Sequence, residues 1–425
     1  MKPPRARTAL VAVAIAAFVL PLALGAPPAA AFTASPTSVA VGPLPEGAAL
    51  DAGGSLVVAN SGNGTLSVVD TTTMTVTSTI TGLAEPSAVA VRLGAGPTEF
   101  IVANRFPPSV SRVDAVVGAV TQTYPLPGSS PADILISPMN PDIWFIVNRL
   151  GSVIKLDATS GVPLSLPLTG SLMTAQLSAD GSRLYVVSSS GDLWDVLTDS
   201  MTIVAQMRVP SVNVTDIAIH GRFAYVSSRE GTIFRVNTTT GVINTWTVGG
   251  SLLGITTAWY GKYLYVADSA GAALAVVKAR NGRVVNSFPL AASPDGLVTS
   301  PQWDATYALN TFDGSVTRVE IRPDPPGPPQ GWVDTVCTRS AGQVAVHLRW
   351  RRPSTTGDLA LEGYRFRAKR PNRSWTTWQY TVRTETHGST SVGGYRVGDR
   401  IALQIQSLSQ AGASSSLRGQ CTVTR

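Results

Sequence analysis

A chain of 425 residues that is 44% hydrophobic and 14% charged, with 39 Gly and 30 Pro, has a β-rich composition, and few segments carry a helical period, which disfavours an α/β fold. Two cysteines make a poor zinc site, and the nearby His347 and His387 have no ligand spacing around them. The formal charge of +7 is divided unevenly: residues 32–325 hold 16 Lys/Arg against 21 Asp/Glu, and residues 326–425 hold 14 against 5.

In chain order, Lys2, Arg5 and Arg7 precede an apolar stretch from Ala9 to Leu24 and a small-residue exit at Ala29–Ala31. This is the layout of a secretory signal peptide over residues 1–31, with cleavage expected after Ala31. A retained anchor is the alternative, and Pro21 and the small-residue exit argue against it. Nothing after residue 32 is apolar for long enough to span a bilayer. The expected product is exported, extracellular or cell-wall associated, with no stable membrane anchor. Under oxidising conditions, Cys337 and Cys421 are expected to form a disulfide.

From residue 56 a unit recurs. LVVANSGNGTLSVVD is followed by FIVANRFPPSVSRVD, WFIVNRLGSVIKLD, LYVVSSSGDLWDV, AYVSSREGTIFRVN, LYVADSAGAALAVV and YALNTFDGSVTRVE. The first run of each ends at Asn60, Asn104, Asn148, Ser188, Ser228, Asp268 and Asn310, a spacing of 40 to 44 residues. Each hairpin has a short apolar strand before it and a Thr/Val-rich strand behind it. Four strands in about 40 residues make one propeller blade, which cannot bury its faces alone. The reading is therefore all-β: a seven-bladed β-propeller over residues 32–322. The seventh unit runs into prolines without an outer strand. Residues 38–44 (SVAVGPL) are expected to supply it by pairing with Ser315 to Ile321.

The units resemble the bacterial surface-protein propeller repeat, whose signature runs Tyr-Val-Thr-Asn, polar turn, Val-Ser-Val-Ile-Asp. Here Val57-Val58-Ala59-Asn60 and Leu66-Ser67-Val68-Val69-Asp70 occupy those places. The resemblance implies the fold and an extracytoplasmic setting, and no reaction.

A Pro-rich linker is expected over residues 323–331, and beyond it, over 332–425, apolar residues alternate. Val344, Val346, Leu348 and Trp350 share one face of a strand, as do Tyr364, Phe366 and Ala368, and Ile401, Leu403 and Ile405. This reads as a β-sandwich. Leu348-Arg349-Trp350-Arg351-Arg352-Pro353, Leu361-Glu362-Gly363-Tyr364 and Val397-Gly398-Asp399 resemble the fibronectin type III domain. Cysteines in the first and last strands would pin its ends together.

No catalytic residue, cofactor or metal site is expected: the chain has no HExxH, GxSxG, P-loop or dinucleotide fingerprint. His220 reads as a turn or packing residue. Loops entering the inner strands and leaving the second strands share one propeller face. That places Glu85, Asp133, Asp216 and Asp295 near the channel mouth, with Asn60, Asn104, Arg105, Asn148, Arg149, Arg229, Asp268 and Asn310 around them. These residues serve either turn chemistry or a ligand-binding face, with a cation held by the inner carboxylates as a further option. The basic tail, through Arg349, Arg351, Arg365, Arg367 and Lys369, is suited to an anionic cell-wall polymer or glycan. Nucleic acid is not an expected partner of an exported protein. The expectation is an extracellular, monomeric binding or scaffold protein that takes a ligand, a glycan or a protein partner. Its rivals are a carbohydrate-active enzyme using Asp133 and Asp216, and a structural part of an envelope complex.

Overall fold

The computed structural model describes residues 32–424 apart from 93–97, 259–260, 301–304, 324–327, 341–342, 355–360, 370–373, 383, 385, 394–396 and 410–411. The signal-peptide expectation for residues 1–31 and the centre of the Pro-rich linker lie outside the described residues. Within them every regular element is a strand, and the strands form nine sheets.

Seven of these sheets have four antiparallel strands. Six are built from consecutive strands, and the sheet that begins at Pro45 shows how. Pro45–Leu50 pairs with Ser55–Asn60, which pairs with Thr65–Asp70, which pairs with Thr75–Ile80. Burial follows strand order. Ser55–Asn60 is buried on both faces, which is why it reads as an unbroken apolar run, whereas Thr75–Ile80 is exposed at all but its last residue. The same gradient recurs in Glu99–Asn104 against Ala119–Pro125 and in Arg183–Ser188 against Thr202–Arg208.

What buries the two faces is the pair of neighbouring sheets, one on each side. Val57, Ala59 and Leu66 pack with Val89, Phe100 and Val102 of the following sheet, whose other face gives Ile101 and Ala103 to a core with Ile134, Trp144 and Ile146. Sheet-to-sheet cores continue round the chain until Leu56, Val58 and Val69 meet Ala305, Tyr307 and Leu309. The last repeat therefore packs on the first, and the sheets close on themselves.

The closing sheet draws on both ends of this region. Phe32–Ala40 pairs antiparallel with Ser315–Pro323, in register from Phe32 opposite Pro323 to Ala40 opposite Ser315. The strand thus lies six residues earlier than the expected start at residue 38. Ser38 to Ala40 pair as expected, whereas residues 41–44 turn away: Val41 N–H donates to the Gly314 carbonyl at 2.9 Å, and Leu44 takes a φ of 52° to enter Pro45–Leu50. Ser35 to Ser38 are exposed on both faces, and the free edge of an outermost strand needs no N–H from Pro36, so Ser, Thr and Pro are tolerated there.

The two remaining sheets lie in the C-terminal region. Gln343–Arg351 sits between Gln330–Ser340 and His387–Gly393. The other sheet runs Gln379–Val382, Gly363–Lys369, Arg400–Ser409, with Leu417–Thr422 also paired to Arg400–Ser409. The alternating residues share one core: Val344, Val346, Leu348 and Trp350 with Tyr364, Phe366, Ala368, Ile401, Leu403 and Ile405. Cys337 and Cys421 lie in it as a disulfide, with their Cα atoms 6.1 Å apart.

Candidate functional site

The first strand of each consecutive sheet is irregular at one place. Its register shifts after the first pair, between Pro45 and Gly47, Pro86 and Ala88, Pro131 and Asp133, Leu172 and Thr174, Val214 and Asp216, and Leu252 and Gly254. Such a bulge adds one residue and re-aims the side chain that follows. These strands line a cavity of about 1320 Å³, and the bulges bring Glu46, Asp133, Thr174, Thr215 and Asp216 to its wall. Arg105, Arg149, Arg229, Asp295 and Thr311 reach the same cavity from loops.

Asp133 and Asp216 occupy matching positions two sheets apart, and each spans to the sheet after its own. Asp133 accepts from Ile134 N at 2.8 Å, Thr174 Oγ1 at 2.7 Å and Ala175 N at 3.3 Å. Asp216 accepts from Ile217 N at 2.7 Å and Ile255 N at 2.8 Å. Both are part-open to the cavity yet surrounded by protein. Burial pushes both carboxyls upward, against hydrogen bonds that lower them, and takes Asp216 to about 7 with the charge of Asp133 adding to the rise.

A carboxyl that keeps its proton to about pH 7 binds more protons folded than unfolded above about pH 4, so stability falls as pH rises through that window. From about pH 5 to about pH 8 this one group costs up to about 2–3 kcal/mol, less whatever water in the cavity recovers. Asp216→Asn should flatten the fall, read as urea midpoint against pH beside the wild type. Equal slopes would show that Asp216 titrates normally.

The basic side of the cavity is organised by Glu46. Its carboxylate takes both Nη groups of Arg105, at 3.1 Å for Nη1, and the Ser61 hydroxyl at 2.8 Å. Burial alone would raise Glu46, but these bonds and the charges of Arg105 and Arg149 outweigh it and hold the carboxyl below its usual value. Burial and the neighbouring Arg105 lower Arg149. Arg149 and Arg229 have no ion-pair partner among the described residues. Asp295 accepts from Thr311 N at 3.1 Å, and Thr311 Oγ1 donates to the Pro45 carbonyl at 2.9 Å, which ties the last repeat to the first at the cavity.

The other expected residues lie elsewhere. Glu85, at a φ of 57°, stands outside the cavity lining, 3.9 Å from Arg105. Asn60, Asn104, Asn148 and Asn310 are buried inside their own hairpins. Asn60 Nδ2 donates to Thr65 and Ser67 hydroxyls, Asn104 to Ser109 and Ser111, Asn148 to Ser152, and Asn310 to Ser315 and Thr317. Asp268 accepts from Ser251 N and Gly271 N, both at 3.0 Å. These side chains hold turns and do not face the cavity. Sequence reasoning missed Glu46, Thr174 and Thr311. It also missed Phe106, Leu150 and Phe312, which stand exposed in the loops just after Asn104, Asn148 and Asn310.

In the C-terminal region, Arg349 and Arg351 are exposed on Gln343–Arg351. Arg365, Arg367 and Lys369 are stacked. Arg365 and Arg367 flank the Trp378 ring at 4.5 and 4.2 Å, and Arg367 and Lys369 flank the Trp375 ring at 4.8 and 6.0 Å.

Closed arrangements of four-stranded sheets around a central cavity define the β-propeller class, and solved structures agree. Hydrazine synthase of Kuenenia stuttgartiensis superposes with a TM-score of 0.59 at 19% identity, over 65% of this chain and 96% of that one. The Cps50 (Swd1) β-propeller domain of Myceliophteria thermophila superposes at 0.56 with 14% identity, over 67% of this chain and 98% of that one. Identities this low establish shared fold alone. No family model and no curated protein matches the sequence.

Proposed function

We propose that the chain is an exported, non-catalytic binding protein. A seven-bladed propeller of the Tyr-Val-Thr-Asn repeat type, residues 32–322, takes a ligand at its channel mouth. A fibronectin type III module, residues 332–425, attaches it to an anionic polymer. Seven blades are supported by the core between the 305–316 strands and the first sheet, and the type III module by its three-stranded and five-stranded sheets. The observation that carries the binding role is convergence. Glu46, Arg105, Asp133, Arg149, Asp216, Arg229 and Asp295, from five different sheets or the loops beside them, line one cavity.

Arg149 and Arg229, which have no ion-pair partner among the described residues, favour a ligand with acidic groups. Screening the mature protein against glycans and wall fractions, beside Arg149→Glu with Arg229→Glu, tests this. Loss of about tenfold or more in affinity is expected where each guanidinium meets a charged acceptor. Unchanged binding by the double variant would remove the channel from the function.

The glycosidase rival needs one carboxyl protonated and the other ionised. Here burial raises both Asp133 and Asp216, and each is occupied by backbone N–H groups of its own and the next sheet. That supports a structural bridge over an acid–base pair.

A further inference from the structure

We infer that the outer face of the five-stranded sheet is a docking strip for an acidic polysaccharide, with carboxylates on the guanidinium edges of Arg365 and Arg367 and a sugar ring on Tyr380. The inference rests on the proposed attachment of this module to an anionic polymer, and it names the face, the geometry and the chemistry.

Strand alternation sends Arg365, Arg367 and Lys369 outward, about 6.8 Å apart along Gly363–Lys369. Free arginine and lysine side chains would lose much rotamer freedom on binding. Here Trp375 and Trp378 have already fixed them, ring against cation, so that loss is met in folding. Arg365 Nε donates to Gln406 Oε1 and Arg367 Nε to Gln404 Oε1, both at 2.8 Å, which sets the plane of each guanidinium. Among the described residues no acceptor takes their Nη groups, the edge that grips a carboxylate through two parallel bonds. The five strands of this sheet contain no Asp or Glu, and Arg400 and Arg418 add to the same sheet's charge.

Tyr380 selects a sugar among polyanions. It lies opposite Arg365 in the register and is 66% exposed on the edge strand, a broad amphipathic ring with little rotamer entropy to lose. A phosphate chain has no apolar face to place on it, whereas a sugar ring has one.

The test is fluorescence polarisation of the mature chain with labelled oligogalacturonate, with dextran and polyphosphate of matched charge as competitors. The wild type should bind oligogalacturonate more tightly than polyphosphate and ignore dextran. Tyr380→Ala and the charge-conserving pair Arg365→Lys with Arg367→Lys should each lose about tenfold, since neither changes net charge and each removes a geometric element. Arg280→Glu, an exposed reversal elsewhere, should bind as the wild type does. Thermal melts confirm that the module of each variant is folded. Full binding by both strip variants overturns the strip and leaves polymer attachment standing. Preference for polyphosphate overturns the sugar assignment. Failure of the wild type to bind either polyanion overturns the attachment itself.

Discussion

Removal of residues 32–40 should destabilise the propeller by several kcal/mol and promote self-association of the chain. Nine residues of Phe32–Ala40 pair with Ser315–Pro323, and each backbone hydrogen bond is worth roughly 1 kcal/mol net. Val39 and Ala34 also pack against the cores on either side of the closing sheet. Without the strand, Ser315–Pro323 presents unpaired N–H and C=O groups along its full length, a template for a second copy. Thermal melting and light scattering of a chain starting at residue 41 read both effects. A synthetic 32–40 peptide added in trans should restore part of the lost melting temperature, because strand addition supplies the same ladder. A truncated chain with unchanged association and the original melting temperature would show that closure rests on side-chain packing alone. The strand begins one residue after the expected cleavage point at Ala31, so a cut a few residues later should reproduce part of the defect.

How far these features can be read without coordinates depends on what buries them. Middle strands such as Ser55–Asn60 and Ile143–Asn148 are covered on both faces, so their apolar runs repeat and can be aligned. The alternation of Gln343–Arg351 is as plain, since one face packs and one is wet. Only the part of Phe32–Ala40 before Ser38 hides, because an outer strand can be built from Ser, Thr and Pro. Of the cavity wall, Asp133, Asp216, Asp295, Arg105, Arg149 and Arg229 can be placed from the loops and strand starts that carry them, but its bulged positions hide for a different reason. A one-residue bulge reverses which side chain faces inward, so Glu46 and Thr174 cannot be told from their outward neighbours by period alone. The hairpin asparagines did carry a signal. Hydroxyl residues stand five and seven positions after Asn60, Asn104 and Asn310, and those are the acceptors of their Nδ2 groups. The tryptophans that stack on Arg365 and Arg367 lie in a segment without periodicity, where only the structure shows what they meet.

Replacing Cys337 and Cys421 together by Ala should lower the stability of the C-terminal module by about 4–5 kcal/mol, the chain-entropy value for a bridge between residues 84 apart. The bridge has a particular position. Cys337 lies in Gln330–Ser340 of the three-stranded sheet, and Cys421 in Leu417–Thr422 of the five-stranded one. Beside it, Thr424 N donates to the Cys337 carbonyl at 2.9 Å and Arg339 N to the Thr424 carbonyl at 3.2 Å, a short parallel contact that joins the sheets at one edge. Once the covalent link is gone, this contact closes a long loop with few hydrogen bonds, so the edge between Gln330–Ser340 and Thr424 should be the first to open, while Leu417–Thr422 keeps its ladder with Arg400–Ser409. Both cysteines are buried in the Trp350 core, and the Ala pair therefore also removes packing there. The propeller cores share no residue with that core, so only one of two calorimetric transitions should move. Scans of the oxidised protein, the protein under reductant and the double variant decide the matter. Reductant alone should reproduce most of the shift, which separates the bridge from the lost packing. A C-terminal transition that does not move under reductant would mean that the two sheets are held by their shared core and that the disulfide adds nothing.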